Sequence, residues 1–201
     1  MYKLYDFLPS GNSYKVRLLL NQLEIPYERI DVNILNRETR TEEFLKINSN
    51  GRIPVLEIEN GQHLAESNAI LFYLSQGTKF LPQGSWMQAK VLQWLFFEQY
   101  SHEPNIATSR YWISILKQPE KYQNNLAKKQ KEGYQALDVI ESHLAQYQFF
   151  VDEKYSIADI ALYAYTHVAH EGNFDLSDYP FVRAWLERVA RQPNHLKITD
   201  A

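Results

Sequence analysis

The chain has 201 residues, with 21 Lys+Arg against 24 Asp+Glu and a net charge of −3, so it offers no basic field to nucleic-acid phosphates. Hydrophobic residues make up 45% and charged residues 22%, a globular balance, and no uncharged run approaches the roughly 18 residues of a membrane helix. Cysteine is absent, which excludes disulfides, thiolate metal sites and redox chemistry on the protein's own thiols. The start, Met1 to Asp6, lacks the apolar core of a signal peptide, so a cytoplasmic location is expected.

The first 80 residues alternate in period. Lys3 to Phe7 reads as a strand. Over Ser13 to Glu24 the apolar positions Val16, Leu19, Leu20 and Leu23 fall at i, i+3, i+4 and i+7, a helical stripe. Pro26 stops that helix, and Tyr27 to Val32 reads as a second strand. A polar helix is expected over Thr39 to Ile47. Val55 to Ile58 and His63 to Ala65 flank Asn60-Gly61, a pair that favours a tight hairpin turn. Ser67 to Ser75 closes the unit as a helix. The order β-α-β-α-β-β-α implies a mixed sheet covered by helices. Phe80 to Ser85 carries turn residues and reads as a linker. Beyond it only helices are expected: Trp86–Leu116, Glu120–Gln146, one with the stripe Ile157, Ile160, Ala161, Ala164, Tyr165 and Val168, and one with Val182, Trp185, Leu186 and Val189. The predicted domains are 1–78 (α/β), a linker over 79–85, and 86–201 (all-α).

Three junctions invite a functional reading beside a structural one. Ser10, in Ser10-Gly11-Asn12-Ser13, can cap the first helix. It can equally donate to a thiolate held at that positive helix end and lower a thiol's pKa from about 8.5 towards neutrality. In Arg52-Ile53-Pro54-Val55 the proline either starts an edge strand or forms a cis bond. In the second case the Val55 amide and carbonyl are free to pair with an extended peptide-like ligand. Glu66-Ser67 is either a plain helix start or a clamp for a zwitterion, the acid taking an ammonium while Ser67 and helix amides take a carboxylate. Ser156-Ile157-Ala158-Asp159 reads as a structural capping box. The six histidines lack metal-binding spacing, no Gly-rich phosphate loop exists, and G-x-S-x-G is absent.

Taken together, N-R-I-P-V-L, E-S-N-A-I and S-I-A-D-I-A-L, in that order on this β/α pattern, resemble the cytosolic glutathione transferases along essentially the whole chain. S-G-N-S-Y-K-V-R looks like the serine-type classes (theta, phi, zeta and related bacterial forms). The resemblance implies a thioredoxin-like N-terminal domain, an all-α C-terminal domain, a homodimer, and glutathione as co-substrate with no metal. By it, Ser10 matches the hydroxyl that activates glutathione, with Asn12 and Ser13 as helpers. Arg52 matches the residue near the glycyl carboxylate, Ile53 lies at a backbone contact, and Pro54 matches the cis-proline. Glu66 and Ser67 match the residues that hold the γ-glutamyl group. Tyr5 is the runner-up for Ser10, one or two positions short of the tyrosine-type phenol. Leu8, Pro9, Tyr100, Tyr111 and Trp112 are candidate walls for a hydrophobic electrophile. The implied activity is conjugation of glutathione to small electrophiles in detoxification. Isomerisation, dehalogenation or peroxide reduction on the same fold, or a non-catalytic ligand-binding or assembly role, are the alternatives. Asn12 stands where the zeta pattern has cysteine, which argues against the isomerase.

Overall fold

The computed structural model describes residues 1–59 and 61–200. It divides into two compact units, Met1–Gln76 with the segment from Pro193 onward, and Gly77–Gln192. In the first, β1 (Tyr2–Asp6), α1 (Gly11–Gln22), β2 (Tyr27–Asp31), α2 (Glu42–Ile47), β3 (Val55–Glu57), β4 (His63–Ala65) and α3 (Ser67–Leu74) follow the expected order. The sheet runs β2-β1-β3-β4, with β1 parallel to β2 and antiparallel to β3. The parallel pair with α1 as its crossover, followed by an antiparallel hairpin, is a thioredoxin-like arrangement. Asn60, in the predicted hairpin turn, lies outside the described residues.

Side chains alternate across β1. Leu4 and Asp6 are buried on one face, while Tyr5 joins the cluster of Val32, Phe44 and Val55 on the other. The helix expected over Thr39 to Ile47 is shorter. Two 3₁₀ turns at Ile34–Asn36 and Glu38–Arg40 precede α2, whose first turn is capped by Thr41 accepting from the Phe44 amide at 3.2 Å. Helix α1 departs from its predicted stripe. Residues 13–20 are all buried, Lys15 and Arg17 included.

The second unit holds α4 (Ser85–Phe97), α5 (Glu103–Arg110), α6 (Pro119–Leu144), α7 (Ile157–Thr166) and α8 (Pro180–Ala190). The single helix expected over Trp86 to Leu116 is one run with wide π turns at Glu98–His102 and Tyr111–Ile115. Ile106, Leu137, Tyr165, Ala169 and Phe174 form a core cluster. Gly133, inside α6, lets the Phe174 ring approach so closely that an added Cβ would lie 2.5 Å from it. The predicted capping box is present at α7. Asp159 there accepts from the Ser156 amide at 2.9 Å, the Ser156 hydroxyl at 3.1 Å, the Phe150 amide at 3.3 Å and Trp185 Nε1 at 3.0 Å. Burial nonetheless outweighs these donors and pushes the carboxyl up to about 7.

The predicted second domain differs at its end. Residues from Pro193 onward belong with the first unit instead of the helices, because side chains of α1 capture their carbonyls.

Candidate functional site

The end of the sheet where β1 runs into α1 gathers the predicted residues. Ser10 is half-buried at the N-cap of α1, in extended backbone, and its Oγ accepts the Ser13 amide at 3.3 Å. Its own hydroxyl proton goes to no acceptor among the described residues. The two readings of Ser10 are therefore compatible, since a lone pair serves the helix while the proton stays available. The Ser13 hydroxyl beneath it is buried and has no hydrogen-bond partner among the described residues.

The start of α3 is bolted to the start of α1. Ser67 Oγ donates to Asn12 Oδ1 at 3.2 Å and accepts from Lys15 Nζ at 3.3 Å, and Lys15 also donates to Asn68 Oδ1 at 3.4 Å. A hydroxyl has one proton to give, and in this arrangement the Ser67 proton goes to Asn12. The Ser67 amide, which pairs with no acceptor among the described residues, is the donor left for a carboxylate. Glu66 caps α3 at φ 68° and ψ 111° without a side-chain cap bond. This is strained backbone for a residue with a Cβ, of the kind that gathers at functional sites. Its exposed carboxylate makes no bond among the described residues, and neither does the exposed Arg52 guanidinium.

Ile53-Pro54 is cis. The predicted free backbone at Val55 is corrected. Val55 registers with Tyr5 on one side and Ala65 on the other, so β3 is no open edge. The unpaired backbone is one turn earlier, at Ile53, whose amide and carbonyl carry no hydrogen bond among the described residues. The Arg52 carbonyl accepts from Asn48 Nδ2 at 2.8 Å, which fixes this turn.

Tyr5 is committed elsewhere. Its hydroxyl donates to Glu57 Oε2 at 2.9 Å, and burial followed by that carboxylate raises its pKa. Leu8 and Pro9 lie half-buried in the loop before Ser10. In the helical unit Tyr100 is 88% exposed, whereas Trp112 is half-buried and stacks on Tyr122 at 4.6 Å. Tyr111 is half-buried as well.

Residues 1–76 match the glutathione S-transferase N-terminal domain, and residues 96–193 the glutathione S-transferase C-terminal domain. The chain belongs to the glutathione S-transferase family. A solved glutathione S-transferase from Pseudomonas fluorescens is 53% identical with a TM-score of 0.97, and 99% of each chain is covered. The disulfide-bond oxidoreductase YfcG of Escherichia coli is 31% identical over 200 residues, 96% of this chain and 92% of that protein. Ure2p in complex with glutathione has a TM-score of 0.87 at 25% identity, with 98% and 93% covered. Among the described residues of this glutathione S-transferase family member, no group of three or more His, Asp or Glu side chains could hold a metal. Among the described residues, no helix is long and apolar enough to cross a membrane. Sequence reading missed Lys15 and Arg17 as buried charges of α1, Lys15 bracing the start of α3. In sequence they look like solvated charges on a helix, and only an unbroken buried run on α1 distinguishes them.

Proposed function

We propose that this protein is a serine-type glutathione transferase that conjugates the glutathione thiolate to small hydrophobic electrophiles, in the cytoplasm and as part of detoxification. The observation that carries the reading is Ser10 Oγ, which accepts the Ser13 amide at 3.3 Å and keeps its own proton. A thiolate placed there gains that charge-assisted hydrogen bond and the positive end of α1. A fall of one to two units in thiol pKa raises the thiolate fraction at neutral pH several-fold to tens-fold. Glutathione would lie extended past the cis Ile53-Pro54 turn. Ile53 would pair with its cysteinyl backbone, Arg52 with its glycyl carboxylate, and Glu66 and the Ser67 amide with its γ-glutamyl ammonium and carboxylate. Asn12 and Ser13 support the cap, Pro54 and Val55 shape the turn, and Leu8 and Pro9, half-buried beside Ser10, supply an apolar wall for the electrophile.

The test is kinetic. Ser10→Ala should lower kcat/KM by about tenfold to a thousandfold, or about 1.4–4 kcal/mol, with glutathione affinity little changed. Tyr5→Phe should leave turnover of a model haloarene near the original. The opposite pattern would reassign the activating hydroxyl.

The reading includes a homodimer. Trp86, Phe96 and Tyr100 are 73%, 69% and 88% exposed along one helical run, an apolar surface suited to a second copy. Light scattering should give twice the chain mass.

A second reading draws on the oxidoreductase relative. With no cysteine in the chain, disulfide reduction would pass between bound glutathione and the substrate. Two glutathione thiols would reduce one disulfide to two thiols and leave glutathione disulfide. Turnover of a small disulfide in the absence of haloarene conjugation would favour it.

A further inference from the structure

Arg17 is fully buried, and its guanidinium is shared between two separate pieces of chain. Nη2 donates to the Leu8 carbonyl at 2.7 Å, two residues ahead of Ser10, and to the Ile198 carbonyl at 3.1 Å. Nη1 donates to the Asp200 carbonyl at 2.5 Å, while Nε faces Asp6 Oδ2 at 3.4 Å. Other residues of α1 hold the same segment. The Tyr14 hydroxyl donates to the Leu196 carbonyl at 2.6 Å, and Asn21 Nδ2 to the Asn194 carbonyl at 2.7 Å. The segment presents its carbonyls from a turn, closed by the Asp200 amide donating to the Lys197 carbonyl at 3.0 Å.

Apart from the Tyr14 hydroxyl's contact with His195 Nε2 at 3.5 Å, these bonds to residues 194–200 read the main chain. A planar five-donor fork is suited to joining several carbonyls at once, and a buried one left with spare donors is strongly disfavoured. Without the carbonyls of Ile198 and Asp200, two of the three carbonyls that fix the guanidinium are gone, and its grip on Leu8 rests on that one bond and on Asp6. Leu8 lies in the turn closed by the Ser10 amide donating to the Phe7 carbonyl at 2.7 Å, the turn that aims the Ser10 hydroxyl.

We propose that residues 194–200 form a strap that fixes, through Arg17, the Phe7–Ser10 turn in the position from which the Ser10 hydroxyl meets the thiol. Arg17 is then a positioning residue for the thiolate, and the strap sets how strongly the thiol is activated. This rests on the role proposed for Ser10.

The experiment follows the ultraviolet absorbance of the bound thiolate against pH, with kcat, KM for glutathione and thermal unfolding measured beside it. Three variants are compared: a chain ending at Lys197, Arg17→Lys, which keeps the charge facing Asp6 but loses the fork, and Tyr14→Phe, which loses the hydroxyl's hold on Leu196 and His195. The shortened chain and Arg17→Lys should each raise the bound-thiol pKa by about one unit and lower kcat about tenfold. KM should move less than about threefold, since Arg52, Ile53 and Glu66 stand outside the turn. Tyr14→Phe should shift the thiol pKa the same way by less. A folded shortened chain with unchanged thiol pKa and kcat overturns the strap. If the shortened chain does not fold, an unchanged thiol pKa in Arg17→Lys and Tyr14→Phe overturns it equally. Failure of the underlying reading looks different, for then Ser10→Ala itself leaves the thiol pKa where it was.

Discussion

Glu66 shows at the level of one residue how recognition and stability pull apart. Its φ of 68° and ψ of 111° strain a side-chain-bearing residue, a conformation that costs on the order of 1–3 kcal/mol. Glycine there relieves the strain but makes the unfolded chain looser, at about 1 kcal/mol. Glu66→Gly should therefore keep or raise the melting temperature while glutathione affinity falls. Glu66→Gln keeps the strain and loses only the charge. It should weaken binding by about 1.5–3 kcal/mol, roughly tenfold to a hundredfold, in a calorimetric titration. Unchanged affinity in both folded variants would reduce Glu66-Ser67 to a helix start. The carboxylate and the helix start were legible in the sequence. The fate of the Ser67 hydroxyl was not, because its partners Asn12 and Lys15 stand more than fifty positions away in the chain. Arg17 was hidden for the same reason, its acceptors at Ile198 and Asp200 lying in a stretch with no periodicity.

Among the elements, the helices were readable because their apolar spacing repeats, and the capping box at α7 because both its members are local. The Val55 expectation failed on topology. A hairpin puts β4 on one side of β3, and the antiparallel return puts β1 on the other, so no backbone of that strand is left over. Gly133 offers a direct test of helix packing. Alanine in mid-helix gains about 1 kcal/mol over glycine from propensity alone. Here the new methyl would meet the Phe174 ring at 2.5 Å, and that ring is buried in the cluster of Ile106, Leu137, Tyr165 and Ala169, so it has little room to retreat. Overpacking costs about 1–3 kcal/mol and should win. Gly133→Ala is thus expected to lower stability in chemical denaturation. A more stable variant would show that the ring moves freely.

Across the whole molecule, stability should carry the signature of Asp159. Its carboxyl is ordinary in the unfolded chain, near 3.8, and is raised to about 7 when folded. The folded state thus holds the proton more tightly. The stabilisation linked to it is complete below pH 3.8 and is lost as pH rises through 7. Relative to Asp159→Asn, the unaltered protein should lose stability between about pH 4 and pH 7, by at most about 1.4 kcal/mol per pH unit. Urea unfolding of both at several pH values checks this, and parallel curves would mean that the four donors hold the carboxylate charged. The variant should also be weaker at every pH, since an amide cannot accept four hydrogen bonds from Ser156, Phe150 and Trp185.

That residues 193–200 pack with Met1–Gln76 has a bearing on biosynthesis. In order of emergence from the ribosome, the first unit lacks the acceptors for Arg17 and Tyr14 until residues 77–192 have all been translated. Domains of a growing chain ordinarily mature from the N-terminus. Here the first unit would wait in a partly finished state while the helical unit folds, and its last step would be docking of the tail. A fragment cut at residue 78, where the sequence alone suggests a boundary, should resemble that nascent intermediate.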